Sequence, residues 1–377
     1  MSAVEGPLHG YHHVTYVCPL PGATGKGEPA RWKGREPRPG LLWFDRRCFA
    51  SEEQLLRALD GRIDGIPDLI QVGPTGLQRF IEGKTLGALY GSGGEIPPHL
   101  TGQIVSLFEQ LARVRPDSLT AERTCTSADR SFEGDTDGFL ERLILFTQER
   151  VYQRNRPEFE GLFHALGLYG ISFDHLRKHA SGLTDRPFRL LHADLHRENF
   201  VVDKEERLWT IDWELAMFGD PLYDLATHLY LMRYPADQEG WMAEQWCEAV
   251  ESAAPGGSAD WEADLPKLLA YKRAQSVFTD VIRTALSLKQ ERRVDEGLLA
   301  QAGARLQKVL SAGAEPLGMS EVPTPDSVTA ALGRWRSDRW AHVYEGDTRG
   351  TSSWVAGRLP LQQVRVGGPE PSVDWLL

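Results

Sequence analysis

The sequence predicts an α+β chain, with a small β-rich N-terminal lobe, a larger mainly helical C-terminal lobe and a C-terminal extension. Three observations carry this. The chain is 377 residues long, and one hydrophobic core rarely grows past about 250–300 residues. Residues 1–85 are rich in β-branched and aromatic residues that alternate between Gly- and Pro-containing turns. From residue 86 onward, apolar positions recur with helical spacing. The expected division is 1–85, 86–312 and 313–377. The last boundary falls at a Pro-rich run around residues 313–327 that reads as a linker.

In the first lobe, residues 13–20, 30–37, 40–45 and 76–83 read as strands. Residues 51–63 read as the one helix, because Ser51 can cap it and Leu55, Leu56 and Leu59 form one apolar stripe. Residues 22–27 faintly resemble a phosphate-binding loop. However, Lys26 is followed by Gly27 instead of Ser or Thr, and no helix follows, so the segment reads as a hairpin turn. In the second lobe, residues 99–114, 138–153, 221–234 and 271–289 read as amphipathic helices, and residues 190–203 and 207–214 as loops and strands. Trp335, Trp340, Trp354 and Trp375 in the extension read as packing residues.

Composition narrows the function. A net charge of −11 argues against nucleic acid, whose binding rests on a basic footprint. No apolar run is long enough to span a membrane, and the start lacks the pattern of a secretory signal. Cys18, Cys48, Cys125 and Cys247 are scattered, which excludes metal knuckles and CxxC redox pairs and points to reduced thiols in a cytoplasmic protein. Only 9 of the 42 basic residues are lysine, a skew typical of GC-rich bacterial coding sequences.

The strongest chemical signal is the run from His192 through Asp194 to Asn199, followed by Ile211-Asp212-Trp213-Glu214. Phosphoryl transfer needs a carboxylate to accept the proton of the attacking hydroxyl, and oxygen ligands to hold Mg²⁺ against nucleotide phosphates. The spacing D-x-x-x-x-N, with an Asp after the next strand, supplies both. Asp194 is the candidate base, and Asn199 and Asp212 are the candidate metal ligands. The alternative reading is that these residues merely cap turns, as Asp and Asn often do. His192/His196 and His175/His179 stand four apart, but a zinc site would need a third ligand and a helical HExxH-type context.

These blocks, with Gly219-Asp220-Pro221-Leu222-Tyr223-Asp224-Leu225-Ala226 after them, resemble the signature of the aminoglycoside phosphotransferase and choline kinase-like family over residues 8–310. The resemblance implies a protein-kinase-like two-lobed fold and transfer of the γ-phosphate of ATP or GTP to a hydroxyl. It further implies that His192 and Asp224 brace the catalytic loop. Ala193 stands where the family often has Gly, and Arg197-Glu198 where Pro-Gly or Pro-x is common.

Carried to the first lobe, the resemblance makes residues 10–17, with His12 and His13, the nucleotide-covering loop and first strand. It makes Lys33 the phosphate-holding lysine, with Arg46 and Arg47 as alternatives, and Glu53 its helix partner, with Glu52 one residue away. Gln78 and Phe80 fall in the hinge that would bind the base. Eight acids and no Lys or Arg lie between Pro235 and Pro266. They read as a solvated helix face, or as a surface for a cationic acceptor. The expected acceptor is a small hydroxylated molecule, such as an aminoglycoside-like antibiotic. The alternatives are a peptide Ser or Thr hydroxyl, or a nucleotide-binding partner protein with little catalysis.

Overall fold

The computed structural model describes residues 4–9, 13–20, 30–37, 47–72, 75–291 and 293–347. The turn at 22–27, the strand expected at 40–45, and Trp354 and Trp375 lie outside them. In chain order the elements begin with β1 (Glu5–His9), β2 (His13–Pro19), β3 (Arg31–Pro37), α1 (Glu52–Leu59), β4 (Leu69–Val72) and β5 (Thr75–Arg79). Next come β6 (Lys84–Thr85), α2 (Leu86–Leu89), α3 (Pro98–Arg113), α4 (Thr136–Phe146), α5 (Arg154–Ala165) and α6 (Phe173–His179). They are followed by β7 (Arg189–Leu191), β8 (Phe200–Val202), β9 (Leu208–Thr210) and β10 (Met217–Gly219). The chain continues with α7 (Pro221–Met232), α8 (Ala236–Ala253), α9 (Trp261–Gln290), α10 (Glu296–Leu317) and α11 (Pro325–Asp347).

The architecture is the expected α+β one, a small antiparallel sheet followed by a mainly helical remainder. The first five strands form one sheet in the order β1-β2-β3-β5-β4. β3 pairs with β2 along its length and with β5 at Trp32–Arg79 and Lys33–Gln78. The pleat therefore buries Trp32 on one face and turns Lys33 and Arg35 to the other. α1 starts where expected: Ser51 Oγ accepts from the Gln54 amide, and Leu55, Leu56 and Leu59 are fully buried. β6 then crosses to pair with β8. Gly83 makes that crossing possible, since a Cβ there would sit 2.2 Å from the Val202 carbonyl oxygen.

The chain divides into two compact units, residues 1–154 with 172–275, and residues 155–171 with those from 276 onward. In the first, α3 packs on α8, and α7 is buried on nearly all its faces, as an all-round apolar helix must be. The expected helix at 138–153 is α4 followed by a wider π-type turn over Thr147–Gln153. In the second unit α10 and α11 lie against each other, at Gly303 so closely that a Cβ would meet Thr329 Oγ1 at 2.0 Å. The expected linker is largely helical. Pro316 sits in the last turn of α10, where its missing amide N–H removes one i→i−4 bond close to the helix end, and the turn ends at Gly318 with φ 62°.

Trp335 packs as expected, stacked on Phe159 with ring centroids 5.3 Å apart and 11° between planes. Trp335→Ala should destabilise the protein by about 3–5 kcal/mol in urea unfolding, the usual cost of removing a buried large aromatic. A loss below about 1 kcal/mol would mean that this contact does not anchor α11. The side chain of Trp340 is outside the described set.

Candidate active site

β7 leads into a loop whose shape is set by buried polar bonds. Ala193 has left-handed backbone, φ 64°, where the resembling family often has glycine, so the methyl carries a modest strain. The carboxylate of Asp224 holds the loop in this shape, accepting from the amides of His192 (3.0 Å) and Ala193 (2.7 Å). His192 is fully buried, and burial pushes its pKa down to about 4, so the ring is neutral and its Nε2–H donates to the Ile211 carbonyl (3.1 Å). Its place is thus structural, between two segments of the site. His228 does the same below the loop, donating from Nδ1 to the Leu195 carbonyl (3.1 Å) and accepting from the Tyr234 hydroxyl (3.0 Å).

Arg197 explains the departure at its position. Its guanidinium is buried and donates to three carbonyls, those of Met232 (2.8 Å), Tyr90 (2.6 Å) and Gly94 (2.8 Å). It ties the loop to the end of α7 and to the segment after α2. Glu198 packs where only Gly87 leaves room.

Asp194 and Asn199 face each other across this loop. Asn199 Nδ2 donates to the Asp194 carbonyl (2.8 Å) and to its Oδ2 (3.1 Å). The amide nitrogen being committed, the Asn199 side-chain oxygen is the end left for a cation. His196 Nε2 lies 3.5 Å from Asp194 Oδ2. Burial works against the charge of Asp194, but His196, His192 and Lys272 outweigh it and hold its pKa below the usual carboxylate range. At neutral pH Asp194 is a partly exposed carboxylate.

Ile211 bonds back to the Asn199 carbonyl through its amide (2.9 Å), which brings Asp212 to the same place. Asp212 is also left-handed, φ 66°, and its side chain is 36% exposed. Burial, with Glu52, Glu214 and Asp194 nearby, pushes its pKa up to about 6 although Arg35 opposes the shift. Crowded carboxylates of this kind take a cation readily. Asp212 and the Asn199 oxygen are the hard donors that Mg²⁺ prefers, so these residues fit that ion. Trp213 fills the floor beside His192, with ring centroids 4.7 Å apart.

The first lobe differs from expectation in detail. Glu52, not Glu53, faces the sheet. Its Oε2 accepts from Arg35 (2.7 Å) and Gln78 (2.9 Å), and its Oε1 accepts from the Trp213 amide (2.9 Å). Burial disfavours its charge, but Arg35 and Lys33 outweigh burial and hold its pKa down at about 2. Glu53 points outward and accepts from Ser51 Oγ (2.5 Å). The physical reason is helical phase: residue 52 shares the inward stripe of Leu55, Leu56 and Leu59, and residue 53 does not.

Lys33 is buried on the face toward Glu52 and Asp212. Burial and Arg35 lower its pKa to about 8, against the pull of Glu52, Asp212 and Glu53. Gln78 is buried in β5, with its side-chain amide nitrogen donating to Glu52 (2.9 Å). The Phe80 amide donates to the Arg31 carbonyl (2.8 Å), and its ring lies under the Arg31 guanidinium. His12 and Arg46 lie outside the described residues, and so does the side chain of His13. Arg47 pairs with the buried Glu214 (2.6 Å).

The acidic run from Pro235 to Pro266 is mixed. Asp264 is buried against Arg186 (2.5 Å) and Lys267 (3.0 Å), Asp260 accepts from Thr184 Oγ1 (3.0 Å), and Glu251 caps the turn at Gly256 and Ser258. Asp264 is thus a buried structural acid, whereas Glu251 and Asp260 are exposed, as are Asp237, Glu244, Glu248 and Glu262, in keeping with a largely solvated run. Arg35 was not anticipated from the sequence, although alternation along β3 puts it on the face of Lys33.

The profile of the phosphotransferase enzyme family, APH, matches residues 47–271, more than half of the chain. Among solved structures the chain is similar to a choline/ethanolamine kinase family protein from Mesorhizobium loti, at 17% identity and a TM-score of 0.43, covering 89% of this chain and 92% of that one. It is also similar to the macrolide 2′-phosphotransferase MphH from Brachybacterium faecium, at 16% identity and a TM-score of 0.45, covering 85% and 93%. A third is the choline kinase LicA from Streptococcus pneumoniae, at 14% identity and a TM-score of 0.42, covering 82% and 94%. The family match spans α1, the Asp194 loop and the Asp212 loop, and the chain belongs to the phosphotransferase enzyme family.

Proposed function

We propose that the protein transfers the γ-phosphate of ATP or GTP to a hydroxyl of a small molecule. The observation that carries this reading is the Asn199 clasp on Asp194, joined through the Ile211 amide to Asp212. It sets a charged carboxylate beside two hard oxygen donors within one loop pair. Asp194 orients the acceptor hydroxyl and takes its proton. Asn199 and Asp212 hold Mg²⁺, which when bound neutralises charge on the nucleotide phosphates. Lys33 meets those phosphates from β3, and Glu52 replaces Glu53 as the acidic partner in the first lobe. The residues from Phe80 to Gly83, between the sheet and β6, are the hinge whose backbone would receive the base. Most of the catalysis is positioning and charge neutralisation.

The test is transfer of labelled γ-phosphate, from ATP and separately from GTP, into a bacterial extract split into small-molecule and peptide fractions, with Asp194→Ala as the control. Label in the small-molecule fraction that the variant fails to produce is expected. Label confined to peptides would replace the small-molecule acceptor with a peptide one. No label from either nucleotide would refute the reading. In the same series Asp212→Ala should lose at least about tenfold of the Mg²⁺-dependent gain in nucleotide affinity. An unchanged gain would remove Asp212 from the metal site.

A further inference from the structure

One strand presents two cations to one cluster of carboxylates. Lys33 and Arg35 lie on the same face of β3, separated by Gly34. Both oxygens of Glu52 are engaged, by Arg35, Gln78 and the Trp213 amide, and Lys33 is not among the donors. Among the described residues the Lys33 side chain makes no hydrogen bond and no salt bridge. The same Arg35 Nη1 that bonds Glu52 also lies 3.5 Å from Asp212 Oδ1. The Arg35 side chain is 13% exposed and that of Glu52 8%, so this pair is shielded from solvent and salt.

We propose that Arg35, and not Lys33, is the cation that holds Glu52. By also reaching Asp212 it positions the carboxylate of the metal site and leaves the Lys33 ammonium for the nucleotide phosphates. The part concerning Lys33 rests on the phosphotransferase reading, whereas the Arg35–Glu52 tether does not. Two tasks that a single ion pair could combine, anchoring the helix and meeting the phosphates, are thereby divided between neighbouring cations. Arginine suits the first: it stays charged when buried, and one of its terminal nitrogens lies between the two carboxylates. Lysine suits the second, as a compact charge that no protein carboxylate has claimed.

The tether is tested on nucleotide-free protein by two double-variant cycles read as thermal midpoints. Arg35→Gln with Glu52→Gln should be non-additive by at least about 3 °C, because removing either partner already breaks the pair. Lys33→Met with Glu52→Gln should be additive within about 1 °C. Equal or stronger coupling in the Lys33 cycle would overturn the proposal.

The positioning role is tested by ADP affinity with and without Mg²⁺. Lys33→Met should weaken both affinities by about tenfold or more. Arg35→Gln should leave the Mg²⁺-free affinity within about threefold and cut the gain from Mg²⁺ at least about fivefold, with Arg35→Lys restoring part of it. A loss of Mg²⁺-free affinity in Arg35→Gln as large as in Lys33→Met would overturn the division of tasks, as would an undiminished gain from Mg²⁺. Failure of the unmodified protein to bind ADP under either condition would refute the phosphotransferase reading, and the thermal cycles would still decide the tether.

Discussion

Asp194→Asn is expected to lower phosphoryl transfer by about 10²–10⁴-fold, the usual contribution of a positioned general base, while changing ADP affinity by less than about twofold. Asparagine is the sharper replacement than alanine because its amide oxygen can still accept from Asn199 Nδ2, so the clasp seen at 3.1 Å has a substitute. What is lost is the negative charge that His196, His192 and Lys272 sustain against burial. Single-turnover transfer and calorimetric ADP binding separate the two effects. Turnover within tenfold of the unmodified enzyme would mean that another group takes the proton. Parallel loss of binding and turnover would mean that the variant had disturbed the Asn199 side of the site instead.

The second large effect concerns stability. Arg186 is fully buried and donates to Asp220 (2.9 Å), to Asp264 (2.5 Å) and to the Ala259 carbonyl (2.8 Å). It joins the segment before β7 to the N-terminus of α7 and the first turn of α9. Asp264 keeps other partners, the Thr184 amide and Lys267, and although burial works against its charge they and Arg186 hold its pKa low. Among the described residues the Asp220 carboxylate has only Arg186 and the Leu222 amide as partners, and burial raises its pKa to about 6.

Arg186→Met should therefore cost about 3–5 kcal/mol, because it strands a buried carboxylate. The sign of the pH dependence follows from Asp220. Its folded pKa lies above the unfolded value and rises further without Arg186, so the penalty grows as pH climbs through that range and shrinks in acid. Urea unfolding at pH 5 and pH 8 should show the larger deficit at pH 8, and adding Asp220→Asn should recover part of it. A deficit independent of pH would locate the cost in lost packing instead.

The meeting of Asp194 and Asn199 was legible because its parts are local. Asp194 and Asn199 lie within one turn of chain, so their spacing alone predicts that they meet. Asp212 comes two short strands later, after β8 and β9. The first lobe was less legible because its contacts join distant segments. Glu52 and Glu53 are chemically identical, and only helical phase distinguishes them. The stripe of Leu55, Leu56 and Leu59 contains that phase, since 52 stands three, four and seven residues before them. Gln78 was read as a hinge residue because strand register across β3 and β5, which places it opposite Lys33, is not written in either strand. The Arg186 cluster joins residues 34 and 78 positions away, and no local pattern announces it. Asp264 therefore looked like part of a solvated run.

The left-handed backbone at Ala193 and Asp212 has a consequence for how ligands arrive. Each such residue costs about 1–2 kcal/mol, and that cost is met within the folded chain, by the Asp224 carboxylate on one loop and by Glu52 holding the Trp213 amide on the other. Both loops are thus braced by protein groups alone. If they receive nucleotide as proposed, the ligand does not have to supply the entropy of ordering them, so its intrinsic affinity is expressed without a conformational tax.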